Sequence, residues 1–112
     1  MNLLRSSILV QALIRRAETN TAFALVRHHG DDDAGSVLVL VNTLDGCAAL
    51  YGPTRDEDFN RAWEALCPPT TQMTIVEEKL AKRLSFDPDL WVVEIEDRKG
   101  RHFLTEKIVN PI

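Results

Sequence analysis

Near the C-terminus stand three side chains of the types that move protons in catalysis: Glu94, Glu96 and His102. Residues two apart on a strand share a face, so the two glutamates point the same way. A tight turn after Glu96 would bring Asp97 and His102 close to them across a hairpin. Paired carboxylates beside an imidazole serve as general acid and base when a cleft buries them. The competing expectation is a hydrated sheet face on which the glutamates pair with Arg98, Lys99 or Arg101, an arrangement common in antiparallel sheets. The spacing favours the hydrated face and keeps acid–base catalysis through Glu94, Glu96 and His102 as the alternative.

Other residue clusters carry weaker chemistry. His28 and His29 precede Asp31, Asp32 and Asp33, all of which are metal-ligand types. Adjacent residues on an extended chain project to opposite sides, however, and the downstream glutamate of a calcium loop is missing. No metal and no cofactor are expected. Cys47 and Cys67 form no C-x-x-C pair, and neither opens a helix that would favour a thiolate, so packing is their expected role. Trp91 alternates with Val93 and Ile95 and belongs to a core face. Trp63 follows the acidic run Asp56-Glu57-Asp58 and is expected at the surface, as an anchor for a partner protein. No glycine-rich phosphate loop, nucleophile elbow or zinc-finger spacing occurs in the chain.

The elements that must position these groups follow from periodicity. Val10, Leu13, Ile14 and Ala17 share one face of a helix over residues 7–18, with Ser6 or Ser7 as N-cap and an exit at Thr19-Asn20. Residues 22–28 form a short strand, and a polar loop over 29–35 follows. The apolar run at 37–41 suits a strand covered on both faces, and a turn at 42–46 returns the chain along 47–51. Residues 54–72 are ambiguous. Phe59, Trp63 and Leu66 stand at helical spacing and point to a short helix, while alternation over 61–66 also fits an edge strand; Pro68-Pro69 is expected to end either one. Thr74 and Glu77 have the spacing of a capping box, opening a helix with Val76, Leu80 and Leu84 on its inner stripe and Glu78, Lys79, Lys82 and Arg83 turned outward to solvent, Glu78 and Lys82 as an i, i+4 pair. Residues 90–96 then form a strand, 97–100 a turn with Gly100 left-handed, and 101–104 the returning arm of a hairpin. The tail to Ile112 is expected to be frayed strand or loop.

At 112 residues, 45% hydrophobic and 27% charged, the composition is that of an ordinary globular domain. A net charge of −4, with basic and acidic residues interleaved, disfavours nucleic acid as a partner. No apolar run is long enough to span a membrane, and the segment after Arg5 lacks a cleavage site, so a cytoplasmic location is expected.

Arg15-Arg16-Ala17-Glu18, Asp33-Ala34-Gly35, Leu44-Asp45-Gly46 and above all residues 86–104 resemble the small bacterial family catalogued as domain of unknown function 1491. Residues 54–72 carry little of that resemblance. It implies a fold and brings no functional residue with it. The expectation is a single α+β domain over residues 1–112, with an antiparallel sheet of about five strands and two or three helices packed on one face. Its expected function is that of a non-catalytic, cytoplasmic protein-interaction module, acting through a sheet edge or the Trp63 region. The sequence leaves the oligomeric state open.

Overall fold

A computed structural model describes residues 5–109; the frayed end expected at 110–112 lies outside them. Helix α1 (Ser6–Thr19) buries Val10, Leu13 and Ala17, the stripe predicted by periodicity. Neither Ser6 nor Ser7 caps it. Arg5 takes the cap position without a side-chain bond, and the carbonyls of Asp33 and Asp32 accept from the Ser6 and Ser7 N–H groups at 3.3 and 3.0 Å. The orphan donors of the helix start are thus satisfied by a distant loop. Ser6 Oγ donates to the Gly35 carbonyl at 2.6 Å and ties the same loop down.

The strands are β1 (Phe23–His28), β2 (Val37–Asn42), β3 (Cys47–Arg55), β4 (Arg61–Gln72), β5 (Trp91–Glu96) and β6 (Ile108–Val109), and helix α2 (Met73–Phe86) lies between β4 and β5. They form one six-stranded sheet in the order β1-β5-β2-β3-β4-β6. The fold is α+β as expected, but the sheet is mixed. β2 pairs in parallel with β5, and β4 in parallel with β6. The expected meander of the first three strands is interrupted, because β5 inserts between β1 and β2. A parallel neighbour requires a crossover, and α2 supplies it by carrying the chain back from β4.

Residues 54–72 correct the helix expectation. Arg55 lies opposite Arg61 and Cys47 opposite Gln72, so the segment forms the long hairpin β3–β4. Pro68 and Pro69 sit inside β4 rather than ending it, which an outer strand tolerates because one edge has no ladder bond to lose. The register shifts around Leu50 absorb the irregularity. The capping box is also absent. Helix α2 starts at Met73, whose N–H donates to the Gly46 carbonyl at 2.9 Å, and Thr74 lies within the first turn.

Two cores explain where the helices go. Val37, Val39 and Val41 point at Val10, Leu13 and Ala17 of α1, while Leu38 and Leu40 point at Val76 and Leu80 of α2. The helices therefore cover opposite faces rather than one. The terminal hairpin does not form either. Its turn is present, with Gly100 at φ 72° and its N–H donating to the Asp97 carbonyl at 2.9 Å. Residues 101–104 have no strand to join, because β1 and β2 already occupy both edges of β5. The chain crosses the α1 face instead and adds β6 beside β4.

Trp91 fastens the start of β5. Its ring is 3% exposed, its Nε1 donates to the Asp31 carbonyl at 2.7 Å, and His29 stacks on it with centroids 4.1 Å apart. Replacing Trp91 by alanine should cost about 3–5 kcal/mol in a denaturant titration. An unchanged midpoint would show that the ring does not support the core.

Candidate functional site

Three segments meet at the end of the sheet where β2 and β5 begin. The C-terminal half of α2 overhangs β2 and β3 there and leaves a groove of about 630 Å³. Leu38 and Leu90 form its apolar floor, 1% and 5% exposed, and Pro53 closes one side. Lys79, Lys82 and Arg83 line the α2 wall. They stand at i, i+3 and i+4, so one helical face gathers all three cations. Lys79 Nζ donates to the Leu66 carbonyl at 3.2 Å. None of the three forms an ion pair among the described residues, and the expected Glu78–Lys82 pair is not made. Phe86 stands at the lip with 81% of its surface exposed. The groove thus offers an apolar floor, a wall of three cations with the single carboxylate of Asp87 at its end, and an aromatic edge, and its lining includes no thiol or imidazole.

A smaller cavity of about 380 Å³ adjoins it through Ser36 and Pro53, on the α1 side. Arg55 and Arg61, opposite one another in the β3–β4 ladder, line its wall. The loop behind both cavities is fixed by close approach. A Cβ on Gly30 or Gly35 would lie 2.2 or 2.3 Å from the Asp89 carbonyl oxygen, which only glycine avoids.

The residues singled out by sequence are dispersed. Glu94 lies on the α2 face, where its Oε2 accepts from Asn42 Nδ2 at 3.0 Å and its Oε1 lies 3.6 Å from Arg27. Arg27 is itself held bidentately by Glu77, at 2.8 and 3.0 Å, and that pairing raises its pKa. Glu96 shares the face of Glu94 along β5. His102 lies on the other face of the sheet, edge-on to Tyr51 with centroids 5.3 Å apart. The sheet stands between the imidazole and the two glutamates, so the three do not converge. Trp63 corrects the expectation of an exposed anchor. It is 4% exposed on the α1 face, and its Nε1 donates to Glu106 at 2.9 Å.

His28 and His29 diverge as well. His28 Nδ1 is 2.7 Å from the Leu90 carbonyl oxygen, whereas His29 Nε2 is 2.8 Å from Asp32 Oδ1. Among the described residues, one carboxylate trio, Asp56, Glu57 and Asp58, has oxygens within 4.8 Å of one another. Asp56 is already committed to its own turn, and Glu57 to Lys107 at 2.9 Å. Both cysteines are free thiols. Sequence reasoning treated Lys79, Lys82 and Arg83 as a solvated helix face and missed the groove. The detectable signal was three cations on one face followed, past the apolar stripe, by an unpaired Phe86.

Residues 4–105 match the family described as "Protein of unknown function (DUF1491)". The chain belongs to this family. A crystal structure of a DUF1491 family protein from Caulobacter crescentus CB15 is 45% identical, covers 95% of this chain and 99% of its own, and superposes with a TM-score of 0.86. The NMR structure of a DUF1491 family protein from the same organism is 44% identical, with 96% and 98% covered and a TM-score of 0.83. The solution structure of protein Atu0922 from A. tumefaciens is 32% identical, with 94% and 95% covered and a TM-score of 0.79. No curated protein matches the sequence.

In this DUF1491 chain the segment after β5 is fixed by one ion pair, a buried Asp97 carboxylate held by a half-exposed Arg101. Asp97 accepts from the Arg101 backbone N–H and from Nε, both at 2.8 Å, and from Nη2 at 3.0 Å. Arg101 also donates to the Asn20 carbonyl at the end of α1, and its guanidinium lies 5.0 Å from the Phe103 ring centroid. Arg16 Nε donates to the Phe103 carbonyl at 2.8 Å, and the Leu104 N–H donates to His102 Nδ1 at 2.9 Å. His102 is therefore the neutral Nε2–H tautomer.

These bonds set an acid profile with two limbs. The Arg101 guanidinium holds the Asp97 carboxyl down to about 2, against an ordinary 3.8. Its contribution is full above the ordinary value and is lost as pH falls through about 2. Solvent screening of the half-exposed Arg101 limits this to about 1–2 kcal/mol, and Asp97→Asn should flatten that limb of unfolding measured against pH. Burial lowers the His102 pKa from 6.5, so the unfolded chain takes the proton first and stability falls as pH drops below that value. His102→Gln should remove this upper limb, and a profile that keeps its slope there would contradict the buried neutral imidazole.

Proposed function

We propose that this chain is a non-catalytic binding module whose α2 groove docks an acidic segment of another protein through one apolar side chain. The observation that carries the reading is the convergence of Lys79, Lys82 and Arg83 on a floor of Leu38 and Leu90, beside a phenylalanine 81% exposed. An exposed aromatic next to unpaired cations fits an occupant that is acidic outside and apolar at its anchor. The groove has the size of a site for a few side chains rather than for a folded surface. The free thiols fit a reducing, cytoplasmic setting. No described helix is long and apolar enough to cross a membrane. The proton-transfer alternative has less support, since Glu94 and Glu96 are separated from His102 by the sheet.

The test is fluorescence anisotropy with a labelled peptide of aspartates and glutamates around one phenylalanine. Binding should weaken with salt, because the cations are exposed. Lys82→Glu with Arg83→Glu should weaken it by about tenfold or more, and Phe86→Ala should weaken it further. No binding, binding indifferent to the charge reversal, or preference for an oligonucleotide over the peptide would each reject the reading.

A further inference from the structure

The chain carries a segment of the kind its groove accepts. At the tip of the β3–β4 hairpin, Asp56-Glu57-Asp58 is followed by Phe59, which is 81% exposed. The tip is rigid. The Phe59 N–H donates to the Asp56 carbonyl and the Asp56 N–H to that of Asn60, both at 3.0 Å, while Asp56 Oδ1 accepts from the N–H groups of Asp58 and Asn60 at 2.9 Å. Phe59 completes this three-residue loop at φ 61°, the left-handed position that glycine ordinarily takes. A bulky aromatic is thus held outward in a conformation it disfavours, with Asp58 beside it unpaired among the described residues.

Resting on the reading of the α2 groove as a docking site, we infer that its occupant is the hairpin tip of a second copy of this chain, with the two copies exchanging tips reciprocally. Charge supports the match: Asp58 would face Lys82 and Arg83, away from the Asp87 carboxylate at the end of the groove, while Glu57 stays on Lys107 of its own chain and Phe59 enters beside Phe86 above Leu38 and Leu90. The other acidic loop is a poorer occupant. It has no exposed aromatic to enter above Leu38 and Leu90.

Placement also favours exchange. Pro53 lines the groove and lies on the strand that leads to the tip, five residues before Asp58, so at about 3.3 Å per residue the two sites are within about 16 Å of one another. The hairpin stays paired out to Arg55 and Arg61 and so cannot fold back into its own groove. With tip and groove side by side, one two-fold axis can satisfy both contacts, which closes the assembly as a dimer. Four phenylalanine rings at roughly 150–250 Å² each bury less than a standard interface does. The dimer is accordingly weak and concentration-dependent.

Sedimentation of the full chain across a wide concentration range tests this. The wild type should show a reversible monomer–dimer equilibrium that weakens with salt. Phe59→Gly should weaken it about tenfold or more while raising the melting temperature, because glycine relieves the left-handed backbone. That separates loss of contact from loss of fold. Chains with Lys82→Glu and Arg83→Glu, and chains with Asp58→Lys, should each stay monomeric alone and form a heterodimer when mixed. A monomer at every concentration, a dimer indifferent to Phe59→Gly, or variants that fail to rescue each other would overturn the exchange. If the chain stays monomeric yet binds the acidic peptide through Lys82 and Arg83, only the choice of occupant is wrong. If it does neither, the docking reading falls as well.

Discussion

Two neighbouring strands, β2 and β5, are apolar on both faces, and the rest of the chain is arranged around covering them. Val37 through Val41 and Trp91 through Val93 are all buried. Strands of that composition cannot lie at an edge or beneath a single layer, because either would leave a row of β-branched side chains in water. Their parallel pairing, Val37 opposite Trp91 through Asn42 opposite Glu96, places them together at the centre of the sheet. Once they are paired, α1 must cover one face and α2 the other. The crossover from β4 to β5 then has to run over the face that α1 leaves open.

The same pairing decides the path of the C-terminal segment. With β5 closed on both edges, the chain after Glu96 leaves the sheet at a tight turn, and Asp97 with Arg101 fixes the exit. Removing water from that carboxylate is unfavourable by itself; three bonds from one arginine offset it, and the guanidinium reaches on to the end of α1. The segment then lies over Tyr51 and Trp63 and completes the core that α1 does not reach. His102 and Trp63, which sequence presents as chemical groups, are drawn into this packing. Glu94 is drawn into a polar cluster with Asn42 and Arg27 on the opposite side.

What could be read from the residues in advance was local. The stripe of α1, the two-faced strand at Val37 to Val41, the stripe of α2 and the left-handed Gly100 each follow from patterns of a few residues, and each is present. Strand partners are a different matter. The alternation of Trp91, Val93 and Ile95 specifies a strand but not its neighbours, and a tight turn afterwards reads as a hairpin unless both edges are known to be taken. Phe59, Trp63 and Leu66 mimic helical spacing because an exposed tip residue, a core residue and the extra residue of a register shift happen to fall at suitable intervals. The helix caps were misassigned for a related reason: both helix starts are satisfied by backbone carbonyls of distant loops, which no local sequence signal records. The groove was invisible on the same ground, since its wall lies on α2 and its floor on strands far away in the chain.

The groove's position follows from the crossover that builds the fold. For α2 to return the chain from β4 to β5 it must pass over β3 and β2, and its inner stripe ends before the helix does. Val76 and Leu80 are buried, Leu84 only partly, and Phe86 is left in solvent at the end. Over that last turn the helix stands off the sheet, leaving Leu38 and Leu90 as the floor of a gap. Cations are favoured in a last helical turn by the backbone dipole, so Arg83 stabilises the helix whether or not anything binds. The exposed Phe86 has no such role. A phenylalanine 81% exposed at the mouth of an apolar gap adds nothing to the core, and its burial requires a partner. A docked segment would therefore gain most of its affinity by burying Phe86 and the floor beneath it, with the charged wall selecting the sign of the occupant.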